Sequence, residues 1–389
     1  MTAQRPELPL DLYADDAIRN PFPLYRAIRE RAPAVFLPAH GAWAIGRYDD
    51  VRAALRADAL LVSGRGVAVN ELVNGQPAVT TLTSDGELHR RRRSVLMRPM
   101  MPSALAEVRV QIEALAGEVV AELCARDAFD GVADFAVRLP VAVVSRLVGL
   151  PEPGRERMLE WARATFDALG PLNARAQASI GLFLEMAKYA TNLPRETLAP
   201  GGWAARLFAA ADGGQLSPDE ARGLLIDYIA PSLDTTILAT GHLLHLLGRH
   251  SEQYEHVRAN PEAIPSAVHE ALRLGSPVRA FTRFADSDYD VDGVAITKGE
   301  RVLVLYGSAN RDERHYPEPD RFDVTRDARD HLAFGHGVHR CAGGHLAQLE
   351  LESLLRALVA LVKRIEVGEP APLLNNVLYG YASFRAAFR

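Results

Sequence analysis

The chain has 389 residues, of which 48% are hydrophobic, and its acidic residues outnumber its basic residues by 49 to 44. The formal net charge of −5 lacks the basic excess expected of a protein that binds nucleic acid or an anionic membrane surface. Two cysteines, Cys124 and Cys341, cannot make a disulfide framework, which fits a reducing compartment.

Nothing in the pattern divides the chain or directs it to a membrane. Residues 1–30 contain Arg, Glu, Asp and Pro without an apolar signal core. No run reaches the ~20 apolar residues that span a bilayer. No Ser/Gly-rich linker, long charge block or repeat interrupts the sequence. We therefore expect one domain over residues 1–389, located in the cytoplasm.

The N-terminal part predicts mixed structure followed by a charged helix. Residues 63–84 have no clear period and predict an ordered loop, a kind of segment that often binds ligands. Residues 85–93 then read DGELHRRRR. A spacing of four puts His89 and Arg93 on one helical face. The remaining arginines, Arg90 to Arg92, are interpreted as a solvated face or as a surface for an acidic partner protein.

From about residue 104 to 250 the pattern is almost entirely helical, with Cys124 expected in the core. The longest helix begins at a capping box, Ser217-Pro218-Asp219-Glu220, and its pattern runs to Gly248, ~45 Å at 1.5 Å per residue. Pro231 interrupts it and should kink or open the helix.

The acidic residue Asp234 and its neighbour Thr235 follow this proline. A carboxylate in an apolar helix is costly unless it is paired or used. A surface turn of an amphipathic helix is the alternative interpretation.

The strongest chemical pattern is FGHGVHRCAG, residues 334–343, which precedes a long apolar-periodic helix. A helix N-terminus favours a thiolate at Cys341, and glycines let the backbone approach a large flat ligand. From these residues alone, three interpretations stay open. They are a buried structural cysteine, a zinc site that includes the nearby histidines His336, His339 and His345, and a haem bound through the thiolate.

The spacing F-x-x-G-x-H-x-C-x-G resembles the haem-binding signature of the cytochrome P450 family, and other family signatures recur in order along most of the chain. The resemblance implies a mainly α fold, a helix-rich triangular prism with small β-sheets. It implies haem b, iron-protoporphyrin IX, with the Cys341 thiolate as axial ligand. The other residues that it assigns to haem binding are Phe334, Gly335, Gly343, His89, Arg93, Arg283 and His339, the last four through the propionates.

Two further sets of residues are similar to family motifs. Asp234 and Thr235 resemble the acid–alcohol pair of the oxygen-binding groove, in which the acid relays protons; the family usually has Ala or Gly where Pro231 stands. Glu270 and Arg273 form an E-x-x-R motif, which on its own predicts a surface ion pair. With Arg321 of Pro319-Asp320-Arg321-Phe322, the resemblance implies a structural triad.

Some segments resemble bacterial P450 enzymes that oxidise para-substituted benzoates, including by O-demethylation: FDALGPLN at 166–173, LAPGG at 198–202 and GSANRD at 307–312. The likeness implies an aromatic-sized pocket lined by Leu82, Phe166, Leu169, Val278 and Phe281. The polar residues that hold a carboxylate in that group are replaced here by Gln76, Val79, Asp227 and Ala230. A carboxylate without donors in an apolar pocket is costly, so a neutral small aromatic stands beside a benzoate as the expected substrate.

The resemblance implies a monooxygenase that inserts one oxygen atom of O2 into a small aromatic substrate, by hydroxylation or O-demethylation. Electrons would come from a separate iron–sulfur ferredoxin and its NAD(P)H-dependent reductase, docked on the cysteine side. A peroxygenase that uses hydrogen peroxide and a non-catalytic haem sensor or carrier are the alternatives. The Asp234–Thr235 pair argues against the peroxygenase, because such enzymes in the family typically lack it. The long helix with a broken, acid-bearing centre argues against a sensor or carrier, which needs no proton path.

Overall fold

The computed structural model describes residues 5–389. They form the mainly α architecture that the sequence predicts, together with four small β-sheets. Short 3₁₀ turns and one π-helical segment, Gly131–Ala136, connect the longer elements. The α-helices are α1 (Asp15–Arg19), α2 (Phe22–Arg31), α3 (Tyr48–Ala54), α4 (Glu71–Asn74), α5 (Gly86–Met97), α6 (Pro102–Cys124), α7 (Arg138–Val148), α8 (Glu152–Ala168), α9 (Ala174–Asn192), α10 (Trp203–Asp212), α11 (Pro218–Ile229), α12 (Asp234–Arg249), α13 (Ser251–Ala259), α14 (Ile264–Gly275), α15 (Tyr306–Ala309) and α16 (Gly344–Leu361).

The strands are short. They are β1 (Ala34–Leu37), β2 (Ala42–Ile45), β3 (Leu61–Val62), β4 (Phe129–Asp130), β5 (Ala280–Ala285), β6 (Tyr289–Val291), β7 (Val294–Ile296), β8 (Arg301–Leu305), β9 (Ile365–Val367), β10 (Ala371–Pro372), β11 (Tyr381–Ser383) and β12 (Arg385–Phe388). The largest sheet has the order β1-β2-β8-β5-β3, in which only β2 and β8 run parallel. The other sheets are β4-β12-β9, β6-β7 and β10-β11. Residues that the sequence assigns to the haem and to the substrate pocket lie on β5 and just before it.

The main core lies among the long helices. Helix α6 packs along α16, and α8 packs along α9. On α16 the predicted apolar stripe is buried, with Leu351 1% exposed and Leu354 and Leu355 at 0%. Cys124, expected in the core, is instead exposed, because it is the last residue of α6, where the helix reaches the surface. No helix among residues 5–389 is both long and apolar enough to cross a bilayer.

The predicted long helix is two helices. Its capping box is present, with the Ser217 side chain accepting from the backbone N–H of Glu220 and the Glu220 carboxylate accepting from that of Ser217. The helix then ends at Ile229 and resumes at Asp234. The opening that Pro231 predicts is therefore confirmed, whereas one unbroken helix to Gly248 is wrong.

The predicted structural triad needs one correction. Glu270 and Arg273 are both 0% exposed, and their side chains meet through two hydrogen bonds of 2.7 and 2.8 Å. The second arginine on Glu270 is Arg326, whose Nε lies 3.2 Å from Oε1. Arg321 is not that partner, because its guanidinium faces Glu318 at the exposed surface. Only the backbone carbonyl of Arg321 reaches Arg273, at 3.4 Å.

Candidate active site

Cys341 lies between a 3₁₀ turn, Gly337–His339, and the first residue of α16. Its backbone N–H donates to the carbonyl of Phe334 at 2.8 Å, which closes the loop. Burial raises the pKa of the Cys341 thiol, while the backbone N–H groups of Gly343 and Gly344 hydrogen-bond the sulfur and lower it. The sulfur is thus held by the orphan N–H groups of a helix N-terminus, as the sequence predicts.

Two glycines of this loop have different surroundings. Gly337 has φ +71°, and a Cβ there would overlap the carbonyl oxygen of Leu55, so the loop packs directly on that backbone. A Cβ at Gly343, in contrast, would meet no atom within 4 Å. The backbone beside the thiol therefore borders open space, which a flat ligand requires. Gly335 also has a positive φ, +67°, and the ring of Phe334 packs against the main core.

Four basic side chains converge next to this loop. The rings of His89 and His339 lie 4.2 Å apart, and the charge of Arg283 acts on His339. The guanidinium of Arg93 donates to the carbonyl of Arg340, and its charge acts on the Cys341 thiol. The predicted haem-binding residues are therefore brought together on one side of the thiol.

This basic cluster fits the propionates of a haem. Burial, followed by the charges of His339 and Arg93, lowers the pKa of His89 to about 4. The Nε2 atoms of His89 and His339 are buried, and no residue in 5–389 hydrogen-bonds them. The acid beside His339, Asp85, lies 3.7 Å from its Nε2, while the Asp85 carboxylate accepts from the backbone N–H groups of Ser63 and Gly64. Buried donors without acceptors are costly, so the site favours carboxylates from outside the chain.

The zinc alternative has no support in the described part of the chain, where no three His, Cys, Asp or Glu side chains are grouped to hold a metal.

Asp234 and Thr235 occupy the first turn of α12. Asp234 is fully buried, and burial raises the pKa of its carboxyl to about 6, against the charge of Arg163. Its Oδ1 accepts from Arg163 at 3.2 Å, while Oδ2 is buried and accepts no hydrogen bond from residues 5–389. Arg163 is 46% exposed, so it connects the acid to the surface; the sequence pattern missed this partner. The Thr235 hydroxyl donates to the carbonyl of Pro231 at 2.9 Å, across the helix opening.

The predicted pocket residues form one apolar cluster. Phe166 and Leu169, at the end of α8, are buried in it. Three other residues pack against it: Leu82 from the loop of residues 63–84, Val278 just before β5 and Phe281 on β5. Leu238 joins the same cluster and follows Thr235 by three residues on α12. Residues three apart on a helix are neighbours on one face, so the apolar cluster adjoins the acid–alcohol pair.

Two of the arginines of α5, Arg91 and Arg92, hold neighbouring segments, and only Arg92 is buried. Arg92 is 7% exposed and donates to the carbonyl of Ala78 at 2.9 Å. Arg91 and Arg92 both bind the carboxylate of Glu220. Arg90 and Arg91 are both exposed, as the solvated interpretation predicts, and Arg90 pairs with Glu87 on its own helix. The sequence could not distinguish these roles, because the helical spacing of the four arginines is the same in either case.

A cleft of about 490 Å³ opens on the cysteine side. Its exposed apolar residues include Met101 and Val338, each 43% exposed. The residues that line it are His89, Arg90, Arg93, Ser94, Met97, Arg98, Met101 and Val338.

Comparison with known proteins identifies the family of the chain. The profile described as Cytochrome P450 matches residues 202–364. Cytochrome p450 CYP199A2 of Rhodopseudomonas palustris is 35% identical over 97% of this chain and 93% of its own length. The 6-deoxyerythronolide B hydroxylase of Saccharopolyspora erythraea is 32% identical over 93% of each chain. The structure of cytochrome P450 CREJ in complex with (4-ethylphenyl) dihydrogen phosphate has a TM-score of 0.87 at 26% identity and covers 98% of this chain and 99% of that one. The chain therefore belongs to the cytochrome P450 family of monooxygenases, which bind haem through a cysteine thiolate.

Proposed function

We propose that this P450 monooxygenase inserts one oxygen atom of O2 into a small aromatic substrate, by hydroxylation or O-demethylation, with electrons from a separate iron–sulfur ferredoxin and its NAD(P)H-dependent reductase. The observation that carries the substrate class is the apolar cluster around Phe166, Leu169 and Phe281, next to Thr235. Such a wall excludes water and suits a ring of benzene size. The CREJ structure supports this class, because its bound compound also carries an aromatic ring.

In this proposal the residues have separate tasks. Cys341 would bind the haem iron through its thiolate, which the N–H groups of Gly343 and Gly344 orient. His89, Arg93, Arg283 and His339 would hold the haem propionates. A bound haem-thiolate supplies the activation of dioxygen. The protein contributes orientation, protons and a dry pocket.

Asp234 is suited to deliver protons. A carboxyl whose pKa is about 6 gains and loses protons readily near neutral pH, as proton transfer requires. Arg163 binds one oxygen of the carboxyl from the surface side, and the other oxygen is left without a donor. Thr235, the next residue, places a hydroxyl at the helix opening, where it can pass the proton toward the pocket.

The cleft on the cysteine side suits the ferredoxin. Arg90 and Arg98 line it together with its apolar residues Met101 and Val338. A basic rim around an apolar centre favours an acidic partner, through steering at the rim and burial at the centre. This is the side of the thiol from which electrons must arrive.

The test uses haem-loaded protein and a para-methoxy aromatic such as 4-methoxybenzamide. First, the reduced protein with carbon monoxide should show the strongly red-shifted Soret band of a thiolate ligand. Formaldehyde release is then measured with ferredoxin, reductase and NAD(P)H, and separately with hydrogen peroxide. Product from the ferredoxin system supports the proposal, product from peroxide alone supports the peroxygenase, and no product from any aromatic tested refutes the substrate class.

The partner surface is tested by charge reversal. Arg98→Glu should weaken ferredoxin-dependent turnover at least tenfold and lower its sensitivity to salt, because rim charges set the association rate. Arg195→Glu is the matched control, since Arg195 is exposed, pairs with Asp212 and lies outside the cleft. Equal effects of the two substitutions would place the ferredoxin elsewhere.

A further inference from the structure

The loop that precedes α5 is fixed onto one face of α11. Gly223 allows close approach there, because a Cβ at this position would come within 2.7 Å of the Val79 Cβ and 2.8 Å of its carbonyl oxygen. One turn further along α11, the Asp227 Oδ2 accepts from the backbone N–H of Thr81 at 2.8 Å. Arg92 binds the Ala78 carbonyl from the other side. The carboxylate of Asp227 is thereby held in a fixed position.

Asp227 interacts both with the haem-binding cluster and with the loop that carries Leu82. The charge of Arg93 acts on both the Asp227 carboxyl and the Cys341 thiol, so the acid is near the cofactor side. Its hydrogen-bond donor Thr81 directly precedes Leu82, which packs on the apolar cluster. An acid on this wall can face a substrate that occupies the pocket.

The carboxylate has unused hydrogen-bonding capacity. An ionised carboxylate can accept about four hydrogen bonds, and within residues 5–389 Thr81 alone hydrogen-bonds Asp227, through its backbone N–H and its side chain. Asp227 is half-buried, so part of it stays accessible. Burial raises the pKa of the carboxyl to about 6, which leaves it mainly ionised at neutral pH.

The two cations that face Asp227 are already engaged. Arg92 binds Glu220 and the loop carbonyls, and Arg93 binds the Arg340 carbonyl beside the predicted propionates. Neither is free for a substrate anion. A carboxylate substrate at this wall would meet an ionised acid and no available cation, which is a repulsive arrangement.

We propose that Asp227 determines substrate specificity: it accepts a hydrogen bond from a donor group on the aromatic substrate, a neutral amide or hydroxyl or a protonated nitrogen, and it repels a carboxylate. The inference rests on the aromatic pocket of the proposed function and adds the polarity of that pocket.

The test compares three ligands of nearly equal shape, 4-methoxybenzamidine, 4-methoxybenzamide and 4-methoxybenzoate, which are cationic, neutral and anionic. Their dissociation constants for the haem-loaded protein are measured by calorimetry and by the change in Soret absorbance. We expect the amidine, the amide or both to bind at least tenfold more tightly than the benzoate. A preference for the amidine over the amide identifies charge as the source, and equal binding of the two identifies hydrogen bonding.

The variant Asp227→Asn removes the charge but keeps an oxygen that can accept from Thr81. It should weaken the amidine and strengthen the benzoate, each about tenfold, or ~1.4 kcal/mol. Asp219→Asn is the matched control, because Asp219 is fully exposed in the first turn of the same helix. If the asparagine variant folds poorly, Asp227→Ser and the wild-type ligand series provide the same comparison.

Three outcomes would overturn the inference. If the wild type bound the benzoate as tightly as the amidine and the amide, Asp227 would not repel a carboxylate. An equal loss for all three ligands in Asp227→Asn, with a normal carbon monoxide spectrum, would make Asp227 a support for the loop only. Haem-loaded protein without the thiolate band would refute the proposed function and this inference together, and is distinguished from the first two by that spectrum.

Discussion

Glu350 provides a quantitative test of how this fold treats a buried charge. It lies in α16, nine residues after Cys341, and is 1% exposed. Its Oε1 is buried and no residue in 5–389 donates to it. Burial alone raises the pKa of this carboxyl to about 8. The perturbation is Glu350→Gln, which keeps the shape of the side chain and removes its ability to ionise.

The magnitude follows from linkage between protonation and folding. The folded state holds the proton up to about pH 8, whereas the unfolded chain releases it near 4.5. The contribution of this group to the free energy of unfolding of the wild type is therefore fully present below pH 4.5 and decreases as the pH rises toward 8. At pH 7 this amounts to about 3 kcal/mol, at 1.36 kcal/mol per pH unit. The glutamine variant does not incur that loss.

The assay is urea unfolding of both proteins between pH 5 and pH 8. We expect free energies of unfolding within about 1 kcal/mol of each other at pH 5 and a variant more stable by about 3 kcal/mol at pH 7. Glu352→Gln is the control, because that carboxyl pairs with Arg356 on the same helix and keeps some exposure. Parallel stability curves across the whole range would refute the reasoning, since Glu350 would then ionise equally in the two states.

Five other substitutions test the site and its support. Cys341→Ala should abolish turnover and the red-shifted carbon monoxide band while leaving the helical circular dichroism intact; a retained band would refute the ligand assignment. Thr235→Ala should keep ligand binding but divert more than half of the reducing equivalents to hydrogen peroxide, measured as peroxide formed per NAD(P)H consumed, and unchanged coupling would exclude the hydroxyl from proton delivery. Glu270→Gln should cost about 3–5 kcal/mol of unfolding free energy, because a buried arginine loses its anion. In the same unfolding assay Arg326→Ala should cost more than Arg321→Ala, which should change stability by less than about 1 kcal/mol; the reverse order would restore Arg321 as the partner.

Local spacing predicts the parts of the site that are close in sequence. The thiol and its glycines lie within ten residues, and His89 and Arg93 are one helical turn apart, so a short pattern defines both. The break at Pro231 is equally local, because a proline removes a specific backbone hydrogen bond. The substrate pocket was also predicted, but only through resemblance to a family, since its residues come from segments as distant as Leu82 and Phe281.

The remaining contacts depend on which side chains meet across the fold, and spacing carries no such information. Arg321 and Arg326 are both near Glu270 in space, and only the structure distinguishes the one that turns inward. Arg163 reaches Asp234 from 71 residues away. In the sequence, Asp227 is only a residue that differs from the polar residue that holds a carboxylate in related enzymes. The role proposed for it depends on its contact with Thr81, 146 residues earlier.

Three carboxyls with raised pKa values show why geometry must decide between similar electrostatics. Burial raises the pKa of Asp227, Asp234 and Glu350 alike, and that of Glu350 is raised most. A perturbed pKa alone would therefore rank Glu350 first as a functional group. Asp234, however, has a half-exposed arginine on one oxygen and a threonine beside it, and Asp227 holds the loop before α5 and has unused acceptor capacity. Glu350 has neither a charged partner nor a hydrogen-bond donor within the described chain, so its carboxyl stays protonated. Its burial therefore affects the stability of the fold and not the chemistry of the site.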